Sequence, residues 1–387
     1  MTESIKPAAI AIPSDFRFGE VLPIPRTSGA AAPTPSLGAL AAFVGNWAGI
    51  GFNTIFRPDN SITPTPLPIP VVSDNILELN LTSESLSFSP SLGSVPNRGT
   101  INGDIFLNGV PYLQAINDIT TGKSVGIHLE PGIWVSVPST TAPAEGPTLV
   151  RMASIPHGTT IDAQGTSTNI SGAPTIPAVN ITPFLTGTSQ APPNLIVFPS
   201  QTAAAAGTAR IPQDLSSFIS AGTITQAMLD DPNTFLRNHI SHQTILATTL
   251  ISIATNPEVP LFGGGTDNIA FLLGDAAASR PNAQTLQMTA TFWIETVEQR
   301  ILVPIFKPGQ PPLTVKGDVT VSGQPVPSFI VRPPVEIPVP RPITFTFTQI
   351  QYSQVVMLNF NGLTWPHVSV ATLLPAGGIA VPPSAWA

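Results

Sequence analysis

Apolar and polar residues alternate along most of the chain, in short stretches that are separated by Gly, Pro, Asn and Asp. This period of two residues predicts β-strands, because successive side chains of a strand point to opposite faces. The predicted strands lie within residues 46–56, 75–90, 99–118, 126–138, 148–158, 159–168, 244–256, 284–299, 343–362 and 367–374. Within the second of these stretches, the polar residues between Leu81 and Leu86 predict a turn.

Regularly punctuated strands predict an antiparallel meander, which the pattern leaves open as either a sandwich or a closed barrel. Strands are predicted near both ends of the chain, and pairing the first with the last would remove exposed sheet edges. We therefore favour a barrel, and an all-β fold class.

Four segments interrupt the strand pattern. Residues 1–36 are rich in Pro and Ala and predict an extended arm, and a short helix should follow at Leu37–Phe43. Residues 170–243 predict an inserted excursion with the best helical patterns of the chain, and residues 307–342 predict a proline-rich, decorated hairpin loop. Residues 37–387 should therefore form a single barrel domain that carries these insertions.

The composition narrows the class of protein. Charged residues make up only 10% of the 387 residues, against about 25% in ordinary soluble domains. Hydrophobic residues reach 42%, which argues against disorder, and a net charge of −7 argues against nucleic acid as a partner. The absence of cysteine excludes disulfides and thiolate chemistry. No leader-like or membrane-spanning apolar run is apparent, so we expect a cytoplasmic protein.

Familiar catalytic motifs are missing, so the five histidines are the natural candidates for chemistry. His239 and His242 are three residues apart on a predicted helix, which would suit a metal, but no third ligand lies nearby and a solvated helix end is the plainer interpretation. His157 follows a proline at a predicted turn, where it is either a catalytic rim residue or an ordinary surface residue.

Strand alternation places His128, Glu130 and Trp134 on one face, where a His–Glu pair would be either a structural network or support for a bound group. In the last predicted strand it places His367 with Ser369, two residues further on. If this face of small residues points inward, a flat ligand has room beside the imidazole, and if it points outward, His367 is a surface residue.

Four segments, taken in their order, resemble the nitrobindin family of haem-binding barrels. The first is FVGNWAGIGFNTIFRP, which is similar to the opening strand of that family at Gly45, Trp47, Gly49 and Gly51. The others are HLEPGIW, VRMASIPHG and HVSVATL, the last of which resembles the strand that carries the proximal haem histidine. The chain is about twice the expected length, and its arm, excursion and loop have no counterpart in the family.

The resemblance implies an antiparallel calycin-like barrel, lipocalin- or nitrobindin-like, of about eight to ten strands with Trp47 at its base. It implies haem b as cofactor, with His367 as the axial iron ligand and with His128 and Trp134 at the cofactor site. His157 would be the distal, catalytic residue of a haem-dependent peroxidase or of an isomerase of small oxidants.

Three functions follow as hypotheses. The first is haem binding with detoxification of reactive nitrogen or oxygen species, and the second is a lipocalin-like carrier of an apolar small molecule without iron. The third is a structural or surface-interaction protein, because the aliphatic composition leaves apolar residues for the surface. We expect a small-molecule ligand or small oxidant as partner, no membrane span, and leave a homo-oligomer open.

Overall fold

A computed structural model describes residues 34–258, 260, 263–274, 282–317 and 325–386. Ten long strands build the molecule: β1 (Gly45–Pro58), β2 (Asn75–Phe88), β3 (Ile105–Asp118), β4 (Val125–Val137), β5 (Thr148–Ile155), β6 (Thr159–Ser171), β7 (Thr244–Ala254), β8 (Gln284–Val303), β9 (Arg341–Phe360) and β10 (Leu363–Pro375). Each strand pairs antiparallel with the next along the chain, and β10 pairs antiparallel with β1. The fold is therefore a closed, ten-stranded up-and-down barrel.

This architecture confirms the prediction of an all-β, antiparallel, calycin-like barrel. Closure leaves the ten strands without an open sheet edge, which is the reason that the first and last strands must meet. The predicted turn inside residues 75–90 is wrong, because β2 runs unbroken through that stretch. Its polar residues Thr82 and Glu84 are buried and point into a polar part of the barrel, so they need no solvent.

One end of the barrel, here called the base, is closed by an apolar plug. The short helix Gly38–Phe43 is a 3-10 helix, and the indole nitrogen of Trp47 donates a hydrogen bond to the carbonyl oxygen of Phe43 at 2.7 Å. The Phe43 ring contacts the rings of Trp134 and Phe292, with centroids 5.4 Å and 5.8 Å away. Trp47 thus lies at the base, where the sequence predicts it.

The excursion between β6 and β7 packs on the outer face of the barrel wall. It carries three helices, Ser216–Ala221, Gln226–Asp230 and Thr234–Ile240. Their apolar side chains form a second core with outward residues of β1, β2, β9 and β10. The helices Gln226–Asp230 and Thr234–Ile240 are separate, because Asp231 is extended: Pro232 follows it and disfavours the helical conformation.

A third core lies where β8 and β9 extend beyond the barrel. Strand Leu313–Lys316 pairs with Ser328–Val331, which pairs with Ile379–Ala380. These short strands bury Phe329 against Phe345 and Phe347. The proline-rich loop thus covers the strand extension, outside the barrel wall.

The remaining elements are short. They are the strands Val95–Asn97, Thr140–Thr141, Ala144–Glu145, Phe184–Leu185, Arg210–Ile211 and Gly265–Asn268, the helix Ala270–Leu273, and the 3-10 helices Pro199–Gln201 and Pro383–Trp386. The predicted arm falls outside the described residues as far as residue 33. None of the helices in the described part of the chain has the length and apolar character needed to span a membrane.

Candidate functional site

The inward-facing side chains change from apolar to polar along the barrel axis. Above the base lies a layer that we call the polar floor, and at the end opposite the base lies a group that we call the histidine chamber. The floor comprises Glu84, Tyr112, Gln114, Glu130, Arg151, Tyr352 and Gln354. The chamber comprises Asn53, Asn80, His128, His157, His367 and Ser369.

One half of the polar floor is an ion pair with almost no solvent exposure. The Arg151 guanidinium donates to Glu130 Oε1 at 2.5 Å, to Tyr112 Oη at 2.8 Å and to Gln354 Oε1 at 2.7 Å. Burial alone raises the pKa of Glu130, but Arg151, His128 and Tyr112 outweigh it and lower that pKa to about 2. Glu130 is therefore a carboxylate across the physiological pH range.

The other half of the floor surrounds Glu84, which forms no ion pair within the described part of the chain. Tyr352 donates to Glu84 Oε2 at 2.5 Å, and Thr82 donates to Glu84 Oε1 at 3.0 Å. Burial raises the pKa of Glu84 in spite of these hydrogen bonds. The barrel interior thus lowers the pKa of Glu130 and raises that of Glu84. Opposite pKa shifts of two neighbouring acids are typical of sites that keep one acid ionised and the other protonated.

His128 lies on β4 directly above the ion pair. Its Nε2 is 3.3 Å from Glu130 Oε2, and its side chain is 15% exposed. Because a carboxylate only accepts hydrogen bonds, Nε2 carries the proton, and Nδ1 keeps its lone pair, with no hydrogen-bond partner among the residues that the structure describes. The predicted His–Glu pair therefore forms, with its free nitrogen available to the chamber.

His157 lies in the turn between β5 and β6, at the rim of the chamber. Its Nε2 donates to the carbonyl oxygen of Ile127 at 3.1 Å, and its ring centroid lies 5.6 Å from that of His128. Partial burial, together with the charge of His128, lowers the pKa of His157. The turn thus holds this imidazole beside His128 while it remains exposed to solvent.

His367 points into the barrel, which decides between the two orientations that its strand leaves open. Its Nε2 lies 2.7 Å from the amide nitrogen of Asn53, which also donates to Ser369 Oγ at 2.7 Å. The ring is half-buried. Burial, helped by the charges of His128 and His157, lowers its pKa to about 3, so the imidazole is neutral at physiological pH.

The Asn53 contact determines which ring nitrogen of His367 can serve a ligand. An amide NH₂ only donates, so Nε2 must accept with its lone pair, and the proton of the neutral ring lies on Nδ1. Axial ligation of haem iron by Nε2 needs that same lone pair. In this arrangement His367 therefore offers the chamber a hydrogen-bond donor, and it does not fit iron ligation unless Asn53 moves away.

The other candidate residues lie elsewhere. Trp134 is 1% exposed in the packed base, and it contacts Arg151 from below with a ring-to-guanidinium distance of 5.8 Å. His239 is buried against Gln349 on the outer wall, so the prediction of a solvated helix end is wrong for it, and His242 is exposed beyond that helix. Across the described residues, no three His, Asp or Glu side chains are grouped closely enough to hold a metal ion.

Sequence reasoning missed the residues that build the floor and fix the chamber, namely Asn53, Glu84, Tyr112 and Arg151. A signal was present, since each is a polar or amphipathic residue on the inward face of an alternating strand. Such residues are easily taken for solvent-facing ones, because alternation alone does not say which face is inside.

The resemblance to nitrobindins stays a prediction that rests on the short segments quoted above. A comparison of the chain with known protein families, with curated proteins and with solved structures finds no match.

Proposed function

We propose that the protein binds a small organic molecule in the histidine chamber. The observation that carries this proposal is His367, whose side chain lies on the inner wall of a closed barrel and yet remains partly exposed. A plugged base below and a rim of polar side chains above are typical of barrels that hold one small ligand.

The hydrogen-bonding groups support a neutral, partly apolar ligand. His367 Nδ1 is a donor, and His128 Nδ1 is an acceptor. The side chain of Val356, directly opposite His367 in the strand register, and that of Ile155 are partly buried and apolar. A molecule with a carbonyl or hydroxyl group on an apolar body suits this lining, which is the carrier hypothesis in a more specific form.

Haem is the second candidate. It is supported by an inward histidine on the last strand, where the nitrobindin resemblance predicts the axial ligand, and by the small neighbours Ser369 and Ala371. It is opposed by the hydrogen bond from Asn53. Peroxidase-like or reactive-nitrogen chemistry with His157 belongs to this candidate alone. Location in the cytoplasm and assembly into a homo-oligomer stay predictions.

Titration with hemin and with the neutral fluorescent probe N-phenyl-1-naphthylamine separates the two candidates. A haem protein should give a shifted Soret band that is lost in His367→Ala and strengthened in Asn53→Ala, which frees Nε2. A carrier should bind the naphthylamine with a fluorescence increase and leave the hemin spectrum unshifted. His242→Ala, which removes an exposed histidine outside the chamber, is the matched control. If neither probe binds to the wild-type protein, the proposed function fails.

A further inference from the structure

We propose that the histidine chamber catalyses proton transfer on a neutral carbonyl compound, with His128 as the general base and His367 as the hydrogen-bond donor to the carbonyl oxygen. This inference rests on the proposed function, because the substrate is the small molecule that the chamber binds. It assigns chemistry to a site that would otherwise only hold a ligand.

The His128–Glu130 pair has the arrangement of an oriented base. Glu130 accepts from Nε2, which fixes the ring so that Nδ1 keeps a lone pair for a substrate proton. Arg151 and Tyr112 hold the carboxylate in place through two further hydrogen bonds. When His128 takes up a proton, the Glu130 carboxylate stabilises the imidazolium. Glu130 is thus a positioning residue, and His128 is the catalytic one.

His367 supplies the complementary group. Asn53 holds Nε2, so Nδ1–H is the donor that remains for a ligand. A neutral imidazole can donate a hydrogen bond to an enolate oxygen and still keep its proton. The surroundings of His367 keep its ring uncharged, as this role requires. Arg151 contacts Glu130 below His128 and also donates to Gln354, whose register partner Ser369 lies on the same face of β10 as His367. A substrate bound between the two rings would therefore meet both the base and the donor.

The reaction balances without an oxidant or a metal. His128 Nδ1 takes a proton from the carbon next to the carbonyl, and the C–H bond breaks. Its electron pair forms the carbon–carbon double bond, and the carbonyl π pair moves to the oxygen, where the His367 N–H stabilises it. The proton on His128 exchanges with the solvent, so that return of a solvent deuteron to the same carbon gives isotope exchange. In an unsaturated ketone, whose enolate is a conjugated dienolate, return of the proton to the γ-carbon gives an isomer.

The test uses the full-length protein with cyclohexanone and phenylacetone as probes in D₂O. Loss of the α-proton signal in NMR measures exchange, and saturation-transfer NMR of the same ketone measures binding. We expect exchange above the rate in buffer, and a loss of about 10²-fold or more in His128→Gln. His242→Gln should retain the wild-type rate. In Glu130→Gln the exchange rate should fall while the saturation-transfer signal of the bound ketone stays, because His128 loses the carboxylate that orients its ring.

The outcomes distinguish the two proposals. A ketone that binds but does not exchange overturns the proton-transfer inference and leaves the binding function intact. A chamber that binds neither ketone also overturns the proton-transfer inference, whereas the binding function is decided by the naphthylamine and hemin titrations. An unchanged rate in His128→Gln overturns the assignment of the base. If that variant does not fold, the pH–rate profile of the wild-type protein decides. A rate that rises in proportion to hydroxide concentration, with no sign of a titrating group of the protein, also overturns the inference.

Discussion

Glu295 is a single carboxyl group sealed on the outer face of β8, beneath the segment that carries His239 and Gln243. It is 0% exposed, and its Oε1 has no hydrogen-bond partner among the described residues. Burial, opposed by a hydrogen bond from Gln349, raises the pKa of Glu295 to about 8. Below pH 8 the folded protein therefore holds a proton that the unfolded chain releases above its ordinary pKa of 4.5.

The Glu295 carboxyl group should make the protein less stable as the pH rises. As the pH rises from about 5 to 8, the free energy of unfolding should lose about 1.4 kcal/mol per pH unit through Glu295, and this loss should end above pH 8. Glu295→Gln should remove that contribution. Denaturant unfolding of both proteins at pH 5, 7 and 9 measures it. If the free energy of unfolding changes with pH by the same amount in both proteins, Glu295 is not the source of the pH dependence.

The Arg151–Glu130 pair should show a second residue-scale effect. Arg151→Met leaves a buried carboxylate without its cation and should cost about 3–5 kcal/mol of unfolding free energy, whereas the double variant with Glu130→Gln should recover much of that loss. A double-mutant cycle from denaturant unfolding measures the coupling. If the loss in the double variant equals the sum of the losses in the two single variants, the two charges do not interact.

At the scale of elements, alternation alone predicted most of the ten strands. Every strand of the barrel wall has one face inside and one outside, so its side chains follow the same period of two residues. It failed at β2, where Thr82 and Glu84 looked like a turn, since nothing in that stretch reveals that the barrel interior is polar. The inward orientation of His367 was left open for a related reason: a strand shows two faces, and only its contacts with other strands, here the contact of His367 with Asn53 of β1, decide which face is inside.

The helix Thr234–Ile240 should hold the excursion to the barrel through Leu236, which is 0% exposed in the outer core. Leu236→Ala should cost about 2–5 kcal/mol and should speed proteolysis of the excursion before the barrel unfolds. Ile219→Ala, at an exposed position of another excursion helix, is the control and should change little. Limited proteolysis with mass spectrometry measures the cleavage. Equal cleavage in both variants would show that this contact does not hold the excursion.

At the scale of the whole molecule, the fold depends on the seam between β1 and β10, where the two ends of the meander meet. Glycines of β1 let the strands approach: a Cβ added at Gly49 would lie 1.9 Å from the carbonyl oxygen of Thr372, and one at Gly51 would lie 2.3 Å from that of Val370. These oxygens belong to the backbone of β10, so they cannot move without disturbing the ladder. The same seam carries Asn53 and His367, which joins barrel closure to the shape of the chamber.

Gly49→Ala should therefore weaken closure itself. We expect a loss of about 1–3 kcal/mol of unfolding free energy, with faster amide hydrogen exchange in β1 and β10 together and in no other pair of neighbouring strands to the same extent. Gly146→Ala, where an added Cβ meets no atom within 4 Å, is the control. Because Asn53 lies four residues along β1, ligand binding in the chamber should weaken in parallel with exchange at the seam. A Gly49→Ala protein as stable and as protected as the control would mean that the barrel closes without this close approach.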